Sequence, residues 1–187
     1  MLAQPRSLRF VIGFFTVLFS VVSASADDKL TLVIAGIEAD VVFMRHALAP
    51  GFGDPANFAL ENCATQRNLD SVGRKQAMEI GAEIRRSATN FTEVLSSEWC
   101  RCKETSELLG LRLWAPFSGL NSFFQDFADK KVVLKKLEQK FRQLEQGVTL
   151  MVTHQVVITS VTGQAVGSGE FIAFNTRTKE ARKFRLD

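Results

Sequence analysis

The sequence predicts an α/β fold, a three-layer sandwich around a largely parallel central sheet. Three observations carry this. Short β-branched runs at 41–44, 94–96 and 148–153 alternate with segments of helical period. Two of those runs close on the chain's only two histidines, Val41-Val42-Phe43-Met44-Arg45-His46 and Val148-Thr149-Leu150-Met151-Val152-Thr153-His154. In open α/β sheets ligands sit beyond the carboxyl ends of the strands, so this placement predicts a built site.

Each element has its own signal. Residues 30–36 (LTLVIAG) fit a short strand or a helical turn equally, because the run is too short to arbitrate. Val41 to Met44 reads as a buried strand. Ala47 to Asn68 reads as a loop, punctuated by Pro50, Gly51, Gly53, Asp54, Pro55 and Asn57. Asp70 or Ser71 caps a helix to about Ser87, with Ala77, Ile80, Gly81, Ile84 and Ala88 on its apolar face. Val94-Leu95-Ser96 is a short strand, and Ser96 or Ser97 caps a helix ending near Gly110. Leu113-Trp114 begins another strand. A third helix is expected from about Asp126 to Gln146, ended by Gly147, with Phe127, Leu134, Leu137, Phe141 and Leu144 inward. Strand 148–153 follows, and Phe171 to Asn175 is the last strand expected. Phe123 and Phe124 fit either the lining of a substrate pocket or core packing, and core packing is the default in a chain with 16 phenylalanines.

The first 26 residues read as a secretory signal. Arg6 and Arg9 precede an apolar stretch from Phe10 to Val22, and Ala24-Ser25-Ala26 fits a small-residue cleavage site. Residues 27–187 then form one domain, of a size that suits a single core. The net charge of +3 owes two units to Arg6 and Arg9, and no polybasic stripe argues for nucleic acid. After cleavage no stable membrane anchor is expected, and the protein is expected in the periplasm or secreted. In that setting one disulfide fits the three cysteines, Cys63 pairing with Cys100 or Cys102. A zinc site is disfavoured because no fourth ligand is evident. No metal and no cofactor are expected.

The chemistry lies in the strand ends. Arg45 and His46 follow one strand and His154 follows another. Arg101 falls in the first turn of the helix after Val94-Leu95-Ser96, where free N–H groups favour anions. Arginines supply forked donors matched to phosphate oxygens. Two histidines add a nucleophile and a further donor. The ligand that suits this cluster is a phosphoryl group, so the expected partner is a small phosphorylated substrate.

These residues resemble the histidine phosphatase superfamily, also called phosphoglycerate mutase-like. Arg45-His46-Ala47 is similar to its Arg-His-Gly signature, with Ala47 in place of glycine. The segment from Gln66-Arg67-Asn68-Leu69 through Gly73-Arg74-Lys75-Gln76-Ala77 resembles its helix start. Ser96 to Thr105 resembles its S-x-x-x-R-x-x-E-T element, and Val152-Thr153-His154 its second histidine motif. The four matches run in the family's order. The resemblance implies a phosphatase in which His46 is the nucleophile and forms a phosphohistidine. Arg45, Arg101 and His154 would bind the phosphoryl oxygens.

The sequence departs from the family at the general acid. Asn121 or Ser122 stands where many members carry a glutamate, and Gln155 stands where another branch carries an aspartate after the second histidine. Asp54, Glu98 and Asp126 are the candidate acids, Asp54 first, because Gly53-Asp54-Pro55 makes a turn after the nucleophile. An envelope sugar phosphate or a scavenged monoester fits the export signal, and a phosphohistidine, as a good leaving group, fits the missing acid. The rival reading is a phosphate-ester-binding envelope module with little turnover.

Overall fold

A computed structural model describes residues 29–111 and 113–186. The expected signal peptide lies outside the described residues. The described chain forms a six-stranded sheet in the order β3-β2-β4-β1-β5-β6. Its strands are β1 (Val41–Arg45), β2 (Phe91–Ser96), β3 (Ala115–Pro116), β4 (Val148–Thr153), β5 (Phe171–Phe174) and β6 (Ala181–Phe184). The first four strands of that order run parallel, and β5 and β6 add an antiparallel edge. The helices are α1 (Lys29–Gly36), α2 (Ser71–Arg86), α3 (Cys100–Leu108), α4 (Lys130–Phe141) and α5 (Gln155–Thr162).

Alternation along buried strands builds two cores. Successive side chains point to opposite faces, so Val42 and Met44 pack with Leu30, Ile80, Ile84 and Trp99 on the face covered by α1, α2 and α3. Val41 and Phe43 pack with Val133, Leu137, Val157 and Ile158 under α4 and α5. Covering both faces explains the near-continuous apolar runs that mark a parallel sheet. The three-layer α/β sandwich with a mostly parallel sheet is thus the observed architecture.

Several boundaries differ from expectation. Residues 30–36 lie in helix α1, which buries Leu30. The α3 helix starts at Cys100 behind Trp99, with no side-chain cap, because Ser97 turns its hydroxyl to the site instead. The α4 helix begins at Lys130, capped by Asp129. Upstream of it, Gln125 and Asp126 both have positive φ, at 62° and 59°, which breaks the helical path. The short strand falls at Ala115–Pro116, two residues after the expected start. Helix α5 and strand β6 lie where the sequence offers no signal used above.

Two close approaches set the site's frame. Asp70 caps α2 by accepting from Gly73 N at 2.7 Å. Gly73 itself is required by contact, since a Cβ there would lie 1.9 Å from the Leu48 carbonyl oxygen. Gln76 then accepts from Leu48 N at 2.9 Å and donates to Ser168 O at 3.1 Å. The helix start thus grips the chain two residues beyond His46.

Candidate active site

Strands β2, β4 and β1 lie side by side and parallel, so their ends deliver Ser97, His154 and His46 to one edge. Backbone bonds pin that edge: His46 N donates to Thr153 O at 3.0 Å, and Ser97 N to Val152 O at 2.9 Å. The two imidazoles sit with centroids 5.4 Å apart. Both are buried.

His46 is held in one tautomer. Its Nδ1 lies 2.7 Å from Ala47 O, an acceptor only, so Nδ1 carries the proton. Its Nε2 accepts from Arg101 Nε at 3.2 Å and therefore presents a lone pair. Ala47 is fixed in turn by α3: its N–H donates to Thr105 Oγ1 at 3.1 Å, and that hydroxyl donates to Arg101 O at 2.6 Å. The Glu-Thr end of the arginine motif thus places the carbonyl that orients the His46 ring. Glu104 pairs with Arg74 at 2.6 Å, tying α3 to α2.

His154 takes the opposite orientation. Arg101 Nη2 approaches its Nδ1 at 3.4 Å as donor, so the proton sits on Nε2. That N–H donates to Ser97 Oγ at 2.8 Å. Ser97 Oγ donates to Asn121 Oδ1 at 3.2 Å, and Asn121 Nδ2 donates to Glu98 Oε2 at 2.6 Å. Glu98 and Asn121, two positions considered for an acid, therefore form a chain that orients His154. Cys102 Sγ lies 3.5 Å from the same His154 nitrogen, and burial pushes this thiol up to about 12, so it stays protonated.

Burial holds both histidines well below their usual range, with Arg101 adding to the shift. Both rings are neutral near pH 7. The unfolded chain therefore binds protons that the folded chain does not, and stability should fall as pH drops below about 6.5. The expected slope is up to about 1.4 kcal/mol per pH unit for each ring. Urea midpoints compared at pH 7.5 and 5.5 measure it. An unchanged midpoint would mean that the folded rings take up protons as readily as the unfolded chain.

Asp54 departs most from its expected role. Its carboxylate accepts from Arg101 Nη1 at 2.8 Å and Nη2 at 3.1 Å, from Arg67 N at 2.9 Å and from Trp99 Nε1 at 3.1 Å. Its side chain is only 5% exposed. Burial raises its pKa, but the Arg101 bonds and the further donors outweigh this and hold it below the usual carboxylate value. A carboxylate so saturated is a poor proton donor; it acts as the counter-charge that aims Arg101. Asp126 is exposed and does not line the cleft.

A cleft of about 280 Å³ opens over this cluster, lined by Arg45, His46, Arg67, Arg101 and His154 at its floor. Arg67 belongs to the motif at the start of α2 but had no role assigned from sequence. Its Nε donates to Gly53 O at 2.8 Å and its Nη1 bonds Ala49 O. Burial, then Arg101, lowers it to about 10. Arg45 donates to Gln155 Oε1 at 3.1 Å and Val166 O at 2.9 Å, while its Nε is buried without an acceptor. The Arg101 guanidinium alone bonds Asp54, while Arg67 feels the Asp54 charge and Arg45 that of Glu170, so three guanidiniums gather positive charge beside a lone-pair nitrogen. A larger cleft of about 500 Å³, between α2 and the Arg185 end of the chain, contains no histidine or cysteine. Sequence reasoning also missed Ser97 as a site residue; its only signal was its position at a strand end beside the motif arginine.

No family model and no curated protein matches this sequence. Solved structures do share its fold. The protein histidine phosphatase SixA complexed with tungstate is 17% identical with a TM-score of 0.52, over 77% of this chain and 93% of that one. A phosphoserine phosphatase mutant from Entamoeba histolytica, in complex with phosphoserine, is 15% identical with a TM-score of 0.54, over 76% and 93%. Protein TTHB049 from Thermus thermophilus is 14% identical with a TM-score of 0.54, over 78% and 99%. The fold is therefore phosphoglycerate mutase-like, and its structural neighbours include members of the histidine phosphatase superfamily.

The disulfide joins Cys63 to Cys100, one of the two pairings left open. It ties the loop after His46 to the start of α3, next to Arg101.

Proposed function

We propose that this protein is a phosphatase that hydrolyses a small phosphomonoester through a phosphohistidine on His46, without a metal. The observation that carries this is His46 Nε2, a lone-pair nitrogen set against Arg101 and flanked by two further arginines. Phosphoryl transfer depends mainly on positioning and on charge stabilisation of the equatorial oxygens. Arg45, Arg67 and Arg101 supply that charge, and Arg45 Nε has a donor to spare. In the first step the His46 Nε2 lone pair forms a bond to phosphorus, and the bond from phosphorus to the ester oxygen breaks with its electrons leaving on oxygen. In the second step water attacks phosphorus, inorganic phosphate leaves, and the lone pair returns to Nε2. The proton from water goes to the departing alcohol through solvent.

Similarity in fold to SixA and to a phosphoserine phosphatase supports the phosphatase class. The Cys63–Cys100 bridge supports an oxidising compartment, in keeping with export to the periplasm or beyond. One observation favours the second reading, a binding module with little turnover: no carboxylate lines the described cleft.

Hydrolysis of p-nitrophenyl phosphate in the presence of EDTA tests the proposal. Activity should survive the chelator, and quenching in alkali should trap an acid-labile phosphoenzyme. Activity that needs added metal would overturn the mechanism. Vanadate binding with no hydrolysis would identify the binding module.

A further inference from the structure

The phosphoryl cradle occupies only the floor of the cleft. Its rim is made by two loops, and both present a phenylalanine. Phe52, from the loop after His46, is 89% exposed, and Phe124, from the turn before α4, is 38% exposed. Their rings meet edge to face with centroids 5.1 Å apart. Both line the same cleft as His46 and Arg101. Phe124 thus takes the pocket-lining alternative rather than the core default.

The two loops are fastened to each other. Gln125 Oε1 accepts from Asp54 N at 2.7 Å, and its Nε2 donates to Asp54 O at 3.2 Å. Gln125 does this from a positive φ of 62°, which a non-glycine residue adopts only at a cost. Gly53 faces it closely: a Cβ there would lie 2.5 Å from Gln125 Oε1. Below the rim, Phe58 stacks on Trp99 at 5.0 Å and on Phe127 at 4.5 Å, anchoring both loops to the core. The exposed pair is thus held in place by strained and closely fitted backbone, rather than lying on free loops.

We propose that Phe52 and Phe124 form an aromatic jaw selecting phosphate monoesters whose leaving group is a planar single ring, that is, aryl phosphates. This rests on the phosphatase reading and deepens it. Three features agree. Aromatic rings pair favourably edge to face or offset, so a third ring beside Phe52 and Phe124 gains contact that an aliphatic chain does not. The cleft, at about 280 Å³, is small, and suits one ring plus a phosphoryl group. The cleft lining also lacks a carboxylate to protonate the leaving oxygen. A phenol ionises near pH 10, against about 15.7 for water, so an aryl oxide leaves as the anion where an alkoxide needs an acid. The His46–phosphorus bond then forms as the phosphorus–oxygen bond breaks. The phenolate departs with the electron pair and takes its proton from solvent.

Two measurements on the mature protein test this. Binding of phenylphosphonate and methylphosphonate by calorimetry reads the jaw without turnover. Phenylphosphonate should bind about tenfold more tightly, and Phe52→Ala and Phe124→Ala should each shrink that preference. Equal binding of the two by the unaltered protein would overturn the proposal. The second measurement compares kcat/KM for phenyl phosphate and for glucose 6-phosphate. The aryl ester should be preferred, and preference for the sugar ester would overturn the jaw while leaving the phosphatase reading intact. If neither ester is hydrolysed and the phenyl preference in binding persists, the phosphatase reading fails and the jaw stands as a ligand-selecting feature.

Discussion

Replacing His46 with alanine should abolish turnover, lowering kcat by about 10⁴- to 10⁶-fold, in line with removal of a covalent nucleophile elsewhere. The size of the effect follows from the site's construction. His46 Nε2 is the one imidazole nitrogen with its lone pair set against Arg101 Nε, while His154 Nε2 is committed to Ser97. The proton on Nδ1 is locked to Ala47 O, so the ring cannot exchange its nitrogens without losing a buried bond. Burial and Arg101 keep it neutral and nucleophilic well into acid. The residual rate in the variant would report what the arginine cradle contributes by itself. Quenched-flow trapping should find no phosphoenzyme, while the fold, judged by circular dichroism, should persist. A variant retaining more than a tenth of wild-type activity would show that the nucleophile lies elsewhere.

Removing the Asp54 carboxylate should destabilise the fold by about 3–5 kcal/mol, because it leaves Arg101 buried without its counter-charge. The Arg101 and Asp54 side chains are 4% and 5% exposed, so solvent does little to screen the loss. Asp54→Asn keeps the shape and tests the charge alone. Inorganic phosphate or vanadate should raise the melting temperature of this variant more than that of the wild type, since the anion replaces the missing partner. The pH dependence has a definite sign. The folded carboxylate titrates below the unfolded value of about 3.9, so its contribution is complete above that pH and is lost as pH falls through the folded value. If Asp54 instead served as the general acid, Asp54→Asn would fold normally and lose only activity. Denaturant melts of the variant with and without phosphate separate the two roles.

Much of the fold was legible because parallel strands buried on both faces leave uninterrupted apolar runs. Val41 to Met44 and Val148 to Val152 were visible for this reason. The capped helix α2 was visible through Asp70 and its apolar spacing. Boundaries failed where tertiary contacts override local preference. The helix expected from Asp126 starts at Lys130, because Gln125 and Asp126 take left-handed backbone and the Gln125 side chain clasps the loop at Asp54. Ser97 looked like a cap and instead bonds His154. Helix α5 follows His154 directly, with a β-branched sequence, Val156-Val157-Ile158-Thr159, that reads locally as strand.

By itself the sequence placed Arg45, His46 and His154 at the chemical edge, since they end apolar strands, and Arg101 at a helix start, where the family resemblance marked it. Arg67 and Ser97 joined them only in three dimensions. The role of each was decided only in three dimensions. Asp54 became a counter-charge because four donors from Arg67, Trp99 and Arg101 converge on it. His46 and His154 became distinct because one ring faces a carbonyl and the other a hydroxyl. Protonation state and tautomer depend on burial and on the partner across the gap, and those partners come from residues as far as 57 positions away in the chain.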